Sequence, residues 1–126
     1  MTNAARALNA FFSGFGLDAY PEDNVPERDA SGQALRPPYI TYALVESEWD
    51  QATAYQARIF WRSEGYEDIT AKADEIVARI GSGILLPAGE GYVCLRPATP
   101  PVSFETEEDR QLKIACLNMQ INTYTM

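Results

Sequence analysis

Apolar residues recur at helical spacing in two stretches of the chain and alternate at strand spacing in several others. Ala5, Leu8, Phe11, Phe12 and Phe15 fall at three- and four-residue intervals, which predicts a helix over Thr2 to Phe15. Thr2 or Asn3 is placed to cap it, and Gly14 and Gly16 to end it. A second helix is expected over Tyr66 to Ile80. Tyr66, Ile69, Ala73, Ile76, Val77 and Ile80 share one side, with Glu67, Asp68, Lys72, Asp74, Glu75 and Arg79 opposite. Glu67 and Asp68 stand in its first turn, where the helix dipole favours anions, and Gly81 follows its end.

Between these helices the pattern changes to β. The run after Pro38, PYITYALVESEW, is rich in β-branched and aromatic residues and predicts a strand through Val45. From Thr53 to Arg62 the odd positions Thr53, Tyr55, Ala57, Ile59 and Trp61 form the expected core face. The polar Glu46–Gln51 stretch joins the two as an antiparallel hairpin. Beyond the second helix, Ile84–Leu86 and Tyr92–Arg96 flank Pro87-Ala88-Gly89-Glu90-Gly91, a further hairpin. Pro97-Ala98-Thr99-Pro100-Pro101 is expected to break the chain before Val102–Phe104. A last strand is expected over Arg110 to Tyr124. Its apolar parity switches near Ala115 to Leu117, which calls for a bulge or for burial on both faces. Tyr20 to Pro38 holds four of the eight prolines and little to bury, and reads as a long, mobile loop.

This order predicts one α+β domain spanning residues 1–126, a mostly antiparallel sheet with helices packed on one face. A length of 126 residues suits one domain with a real core. Eighteen acidic against ten basic residues leave a net charge of -8, which disfavours binding to nucleic acid or to anionic membranes. No apolar run approaches membrane-spanning length, and the opening MTNAARALNAFFSGFG lacks the apolar core of a signal peptide, so a cytoplasmic location is expected.

Histidine is absent, which removes His-based triads and most transition-metal sites. Cys94 and Cys116 lie far apart in apolar stretches and are expected to be buried, reduced thiols. Three acidic groups remain as candidates for acid-base chemistry: Glu22 with Asp23; Glu46 with Glu48 and Asp50; and Glu105 with Glu107, Glu108 and Asp109. All are expected in polar loops, with no apolar wall to raise a carboxyl pKa and no calcium-loop spacing. The glycines around Ser82 and Glu90 lack the lysine and hydroxyl of a phosphate loop. No catalytic residue, metal ligand or cofactor is assigned, and the chain is expected not to be an enzyme.

Taken together, FGLDAYPEDNVPE, PPYITYALVESEWDQATAYQARIFWRS, YEDITAKADEIVARIG, GILLPAGEGYVCLRPATP and EEDRQLKIACLNMQINTY resemble the tail terminator, or tail-completion, proteins of siphophages and prophages along nearly the whole chain. That resemblance implies a hexameric ring at the head-proximal end of the tail tube, which stops tube growth and joins tail to head. The implied partners are other copies of the chain, the major tail tube protein and the head–tail connector proteins, with no sequence-specific nucleic acid and no membrane. The implied location is the host cytoplasm during assembly and then the neck end of the virion tail. On this reading Glu22, Asp23, Asn24, Val25, Arg28, Leu35, Arg36 and Trp49 are candidate partner-binding residues, and Glu105, Glu107, Glu108 and Asp109 candidate pore-facing acids. The rival readings are another neck protein, a small carboxylate-using hydrolase, and a ligand-binding domain with a closed apolar pocket.

Overall fold

Thr2 opens the first helix as its sequence position suggests: its hydroxyl accepts the Ala5 N–H at 3.1 Å. The computed structural model of the chain describes residues 2–44 and 52–124. Its elements run α1 (Asn3–Phe12), β1 (Asp18–Pro21), β2 (Tyr39–Tyr42), β3 (Thr53–Arg62), α2 (Glu67–Ile80), β4 (Ile84–Ala88), β5 (Gly91–Glu105) and β6 (Leu112–Tyr124), with a short 3-10 turn, Ser13–Phe15, after α1. The strands form one sheet in the order β1-β2-β3-β6-β5-β4. Among the described residues only β1 and β2 pair in parallel; the other neighbours are antiparallel. The protein is therefore a single-domain α+β fold.

Both helices cover the same face of the sheet. Leu8 and Phe12 of α1 and Ile69, Ala73, Ile76 and Ile80 of α2 share one core with Ile40, Ile59, Val93, Leu95, Leu117 and Ile121. Phe12 stacks on Tyr42, with ring centroids 5.8 Å apart. Asn9 latches α1 to the sheet by donating to the Tyr42 hydroxyl at 2.9 Å and to the Ala19 carbonyl at 3.3 Å. Lys72 of α2 donates to the Phe15 carbonyl at 2.7 Å and so ties the helices together. Gly81 ends α2 with φ +61°, a conformation that residues with a Cβ disfavour.

Several expectations change once the strands are paired. Tyr20 and Pro21 close a strand, Asp18–Pro21, rather than opening the loop, because the buried Ala19 and the parallel ladder to Tyr39–Tyr42 hold it at the sheet edge. The β2 strand ends at Tyr42, before Val45, which lies outside the described residues. Tyr66 precedes α2 and remains exposed, edge-on to Phe104 at 5.2 Å, instead of joining the core. Beside that pair, the ammonium of the buried Lys113 lies 5.0 Å from the Tyr66 ring centre and also donates to the Arg110 carbonyl.

The prolines after Arg96 do not end the strand. Ala98 to Pro101 stand opposite Asn118 alone, so β5 bulges and resumes pairing at Val102. The outer edge is free there, since β4 stops pairing at Leu95, and proline's missing N–H costs no ladder bond. The parity switch in β6 resolves as burial on both faces: every residue from Lys113 to Leu117 is buried, while β3 and β6 keep one unbroken register from Thr53–Ile121 to Arg62–Leu112.

Candidate functional site

The face of the sheet away from the helices is not bare. Residues alternate across a strand, so Gln56 and Arg58 of β3, Cys116 and Asn118 of β6, and Ser103 and Glu105 of β5 share that face. They form two rungs. In the first, Arg58 Nε donates to Glu105 Oε1 at 3.0 Å and Cys116 Sγ donates to the same oxygen at 3.2 Å. The guanidinium also lies 3.8 Å from Glu22. In the second, Gln56 donates to Asn118 at 2.9 Å, while the Asn118 amide donates to Ser103 Oγ and to the Pro100 carbonyl, each at 3.1 Å. The second rung grips the bulged segment from within the sheet.

Charge and burial set what the first rung can do. The hydrogen bonds from Cys116 and then Arg58 hold the Glu105 carboxyl below its usual range. Burial, reinforced by Glu105, pushes the Cys116 thiol up. A thiol kept protonated beside a carboxylate is a hydrogen-bond donor, not an activated nucleophile. Tyr55, buried and donating to the Ala43 carbonyl at 2.7 Å, is likewise pushed well above its usual value by burial and stays neutral. Among the described residues no group of three or more His, Cys, Asp or Glu side chains is arranged to hold a metal ion. No described helix is long and apolar enough to cross a membrane.

Flanking the rungs are two apolar regions. At one end Tyr20, Tyr39 and Phe60 form a ladder across β1, β2 and β3, with centroid separations of 6.1 and 4.9 Å. At the other, Leu85, Tyr92 and Tyr124 are 61%, 41% and 37% exposed. Tyr92 stands directly opposite both Tyr124 and Pro87, and Leu85 opposite Cys94, so these side chains make one patch on β4, β5 and β6. On the helical side, a groove of about 760 Å³ runs between α1, α2 and β4, lined by Ala7, Ala10, Phe11, Ala78 and Leu86 among others.

The candidate partner-binding residues separate into a root and a tip. Glu22, Asp23 and Asn24 follow β1 directly, with the Glu22 N–H donating to the Tyr42 carbonyl and the Asn24 N–H to the Pro21 carbonyl. Val25 and Leu35 are half-buried, and Arg28 and Arg36 are exposed. From Glu27 to Leu35 the chain makes a small hairpin of its own, bridged at Arg28 and Ala34. The Asp29 carboxylate accepts from the Ser31 hydroxyl and from the N–H groups of Ser31 and Gln33, which lowers its pKa. Arg28 closes the turn on the Gly32 carbonyl at 2.8 Å. Trp49, with Glu46, Glu48 and Asp50, lies outside the described residues.

The four acids of residues 105–109 do not act as one group. Glu105 is the last residue of β5 and belongs to the Arg58 rung, whereas Asp109 pairs with Arg62 at 2.9 Å and is lowered by that bond. Glu107 and Glu108 are exposed between them. Residue-by-residue reading missed the Leu85–Tyr92–Tyr124 patch, because ILLPA is apolar on both parities and nothing in it marks Leu85 as outward-facing. It also missed the Cys116–Glu105 contact, which only the β5–β6 register reveals.

Searches of the chain against family models, curated proteins and solved structures find no match.

Proposed function

We propose that this chain is a tail-completion protein of the tail terminator kind, whose copies close into a ring on the head-proximal end of a siphophage tail tube and present a joining surface to the head. The observation that carries this reading is a sheet with helices on one face only, whose other face exposes Leu85, Tyr92 and Tyr124 at one edge while a preformed hairpin extends from the other. Such a layout suits a subunit that works through its surfaces. The whole-chain sequence resemblance points the same way, and a hexamer is the ring size it implies.

The test is to assemble tail tubes with and without the purified chain and to measure their lengths in electron micrographs. Tubes of defined length that join heads when the chain is present, against overlong headless tubes without it, are the expected result. Binding to capsid portals with no effect on tube length would overturn the terminator reading in favour of another neck protein. A variant lacking Asn24 to Gln33 should keep the fold, since that segment supplies no residue to the core, yet fail to cap.

A further inference from the structure

Beside the exposed tyrosines the outward sheet face carries a trough. Register sets three rungs in succession there: Pro87, Tyr92 and Tyr124; then Leu85, Cys94 and Asn122; then Arg96 with Gln120. Tyr92, Tyr124, Arg96 and Gln120 stand exposed on either side, while Cys94 and Asn122 between them are only 5% and 8% exposed. The middle rung is therefore the floor. Asn122 is the unusual residue in it, because its side chain makes no hydrogen bond among the described residues. Yet no sealed polar side-chain atom lacks a partner among those residues, so the Asn122 amide still reaches solvent through the trough. An amide so deeply placed and left unpaired forfeits bonds that folded proteins ordinarily make, and calls for an occupant.

We propose that the trough binds an extended peptide segment of a partner protein, apolar and acidic in neighbouring residues, whose peptide unit pairs with the Asn122 amide. The proposal rests on the reading above that this surface is the working one, and it names what the surface takes. Size, hydrogen bonding and charge select the occupant. From β4 to β6 the floor spans about 10 Å, the length of roughly three extended residues. A primary amide offers donors and an acceptor together, which a peptide unit answers with its C=O and N–H, whereas a carboxylate or an ammonium answers only half. Leu85, 61% exposed, with Tyr92 and Tyr124 receives an apolar side chain. Arg96 receives the carboxylate, since it is exposed and has no ion pair among the described residues. The other charges of this face do not compete: Glu105 and Glu22 are engaged by Arg58. Glu90 lies in the turn past the tyrosine rung, and Arg96 is about 17 Å along β5 from that end of the strand.

A cell-surface display library of short random peptides, sorted against the full chain, supplies the probe. The most enriched peptide is synthesised and titrated into the isotope-labelled chain by NMR. It should carry Asp or Glu beside an apolar residue and should shift the Asn122 side-chain amide resonances saturably. Affinity should fall about tenfold for Asn122→Leu, which removes the amide without opening a cavity, and by a similar factor for the surface change Arg96→Glu. No enrichment above the display background would overturn the proposal, as would a peptide that binds both variants as tightly as the parent. Asn122 amide shifts that follow the concentration of the chain alone would make a second copy the occupant and overturn it too. Tube capping separates this proposal from the reading beneath it. Peptide binding at the trough, with capping unchanged in both variants, upholds the peptide site and overturns the role of this surface in the tail. Normal capping with no peptide binding overturns the peptide site alone.

Discussion

Ile76→Ala tests whether α2 docks through the face its periodicity assigns. Ile76 is fully buried in the core that α2 shares with the sheet. The substitution removes three carbons, and at about 0.8 kcal/mol per buried methylene the transfer loss alone is about 2.4 kcal/mol. A cavity that the neighbours fail to close adds to this, up to a total of about 5 kcal/mol. For a chain of this length 1 kcal/mol shifts Tm by about 4 °C, so a fall of about 10 to 20 °C is expected. Glu75→Ala is the matched control one residue away. Glu75 is exposed, and its contact with Lys72 at 3.2 Å is a surface pair three residues apart, so its loss should stay below about 0.5 kcal/mol. Urea denaturation followed by far-UV circular dichroism, at concentrations where the chain is monomeric, gives both values. Equal losses from the two changes, or a loss under about 1 kcal/mol from Ile76→Ala with an unchanged m-value, would refute the assigned face.

Gly89 has φ +63°, and a Cβ there would lie 2.2 Å from the Asn3 amide nitrogen. Gly89→Ala should cost about 1 to 2 kcal/mol from the left-handed backbone, plus a contact penalty that disappears in an Asn3→Ala background; Gly32→Ala, at φ +85° with open space around it, should show the backbone cost alone. Glu105 has a pKa lower in the folded than in the unfolded chain, so the folded state binds fewer protons there, and its stabilising contribution is present above the unfolded value and lost as pH falls through the folded one. Glu105→Gln should accordingly be less stable than the parent at neutral pH and converge with it in acid, as read from Tm between pH 3 and 7; a constant difference across that range would exclude the linkage. Both thiols should react slowly with a bulky maleimide in the native protein and rapidly in urea, because Cys94 and Cys116 are buried; fast native labelling of both would contradict their burial.

Local periodicity was enough to recognise α2, the inward parity of Tyr55, Ala57 and Ile59, the β4–β5 hairpin and the burial of both cysteines, because each depends on residues near one another in the chain sorting by polarity onto two faces. What depended on partners from distant segments was not legible. Asp18–Pro21 is four residues long and ends in proline, and it becomes a strand only through its ladder to residues about twenty positions later. Pro97 to Pro101 looked like a break because sequence alone does not show that the ladder to β4 ends at Leu95 and leaves β5 without that neighbour beyond it. Glu105 belongs by sequence to an acidic run, yet Arg58 on β3 and Cys116 on β6 draw it onto the sheet, 47 and 11 residues away along the chain. Leu85, Tyr92 and Tyr124 became one surface only when three strands set them in register. Side-chain polarity thus decided which elements form and which face each buries, while cross-strand register, a non-local property, decided which exposed groups stand together.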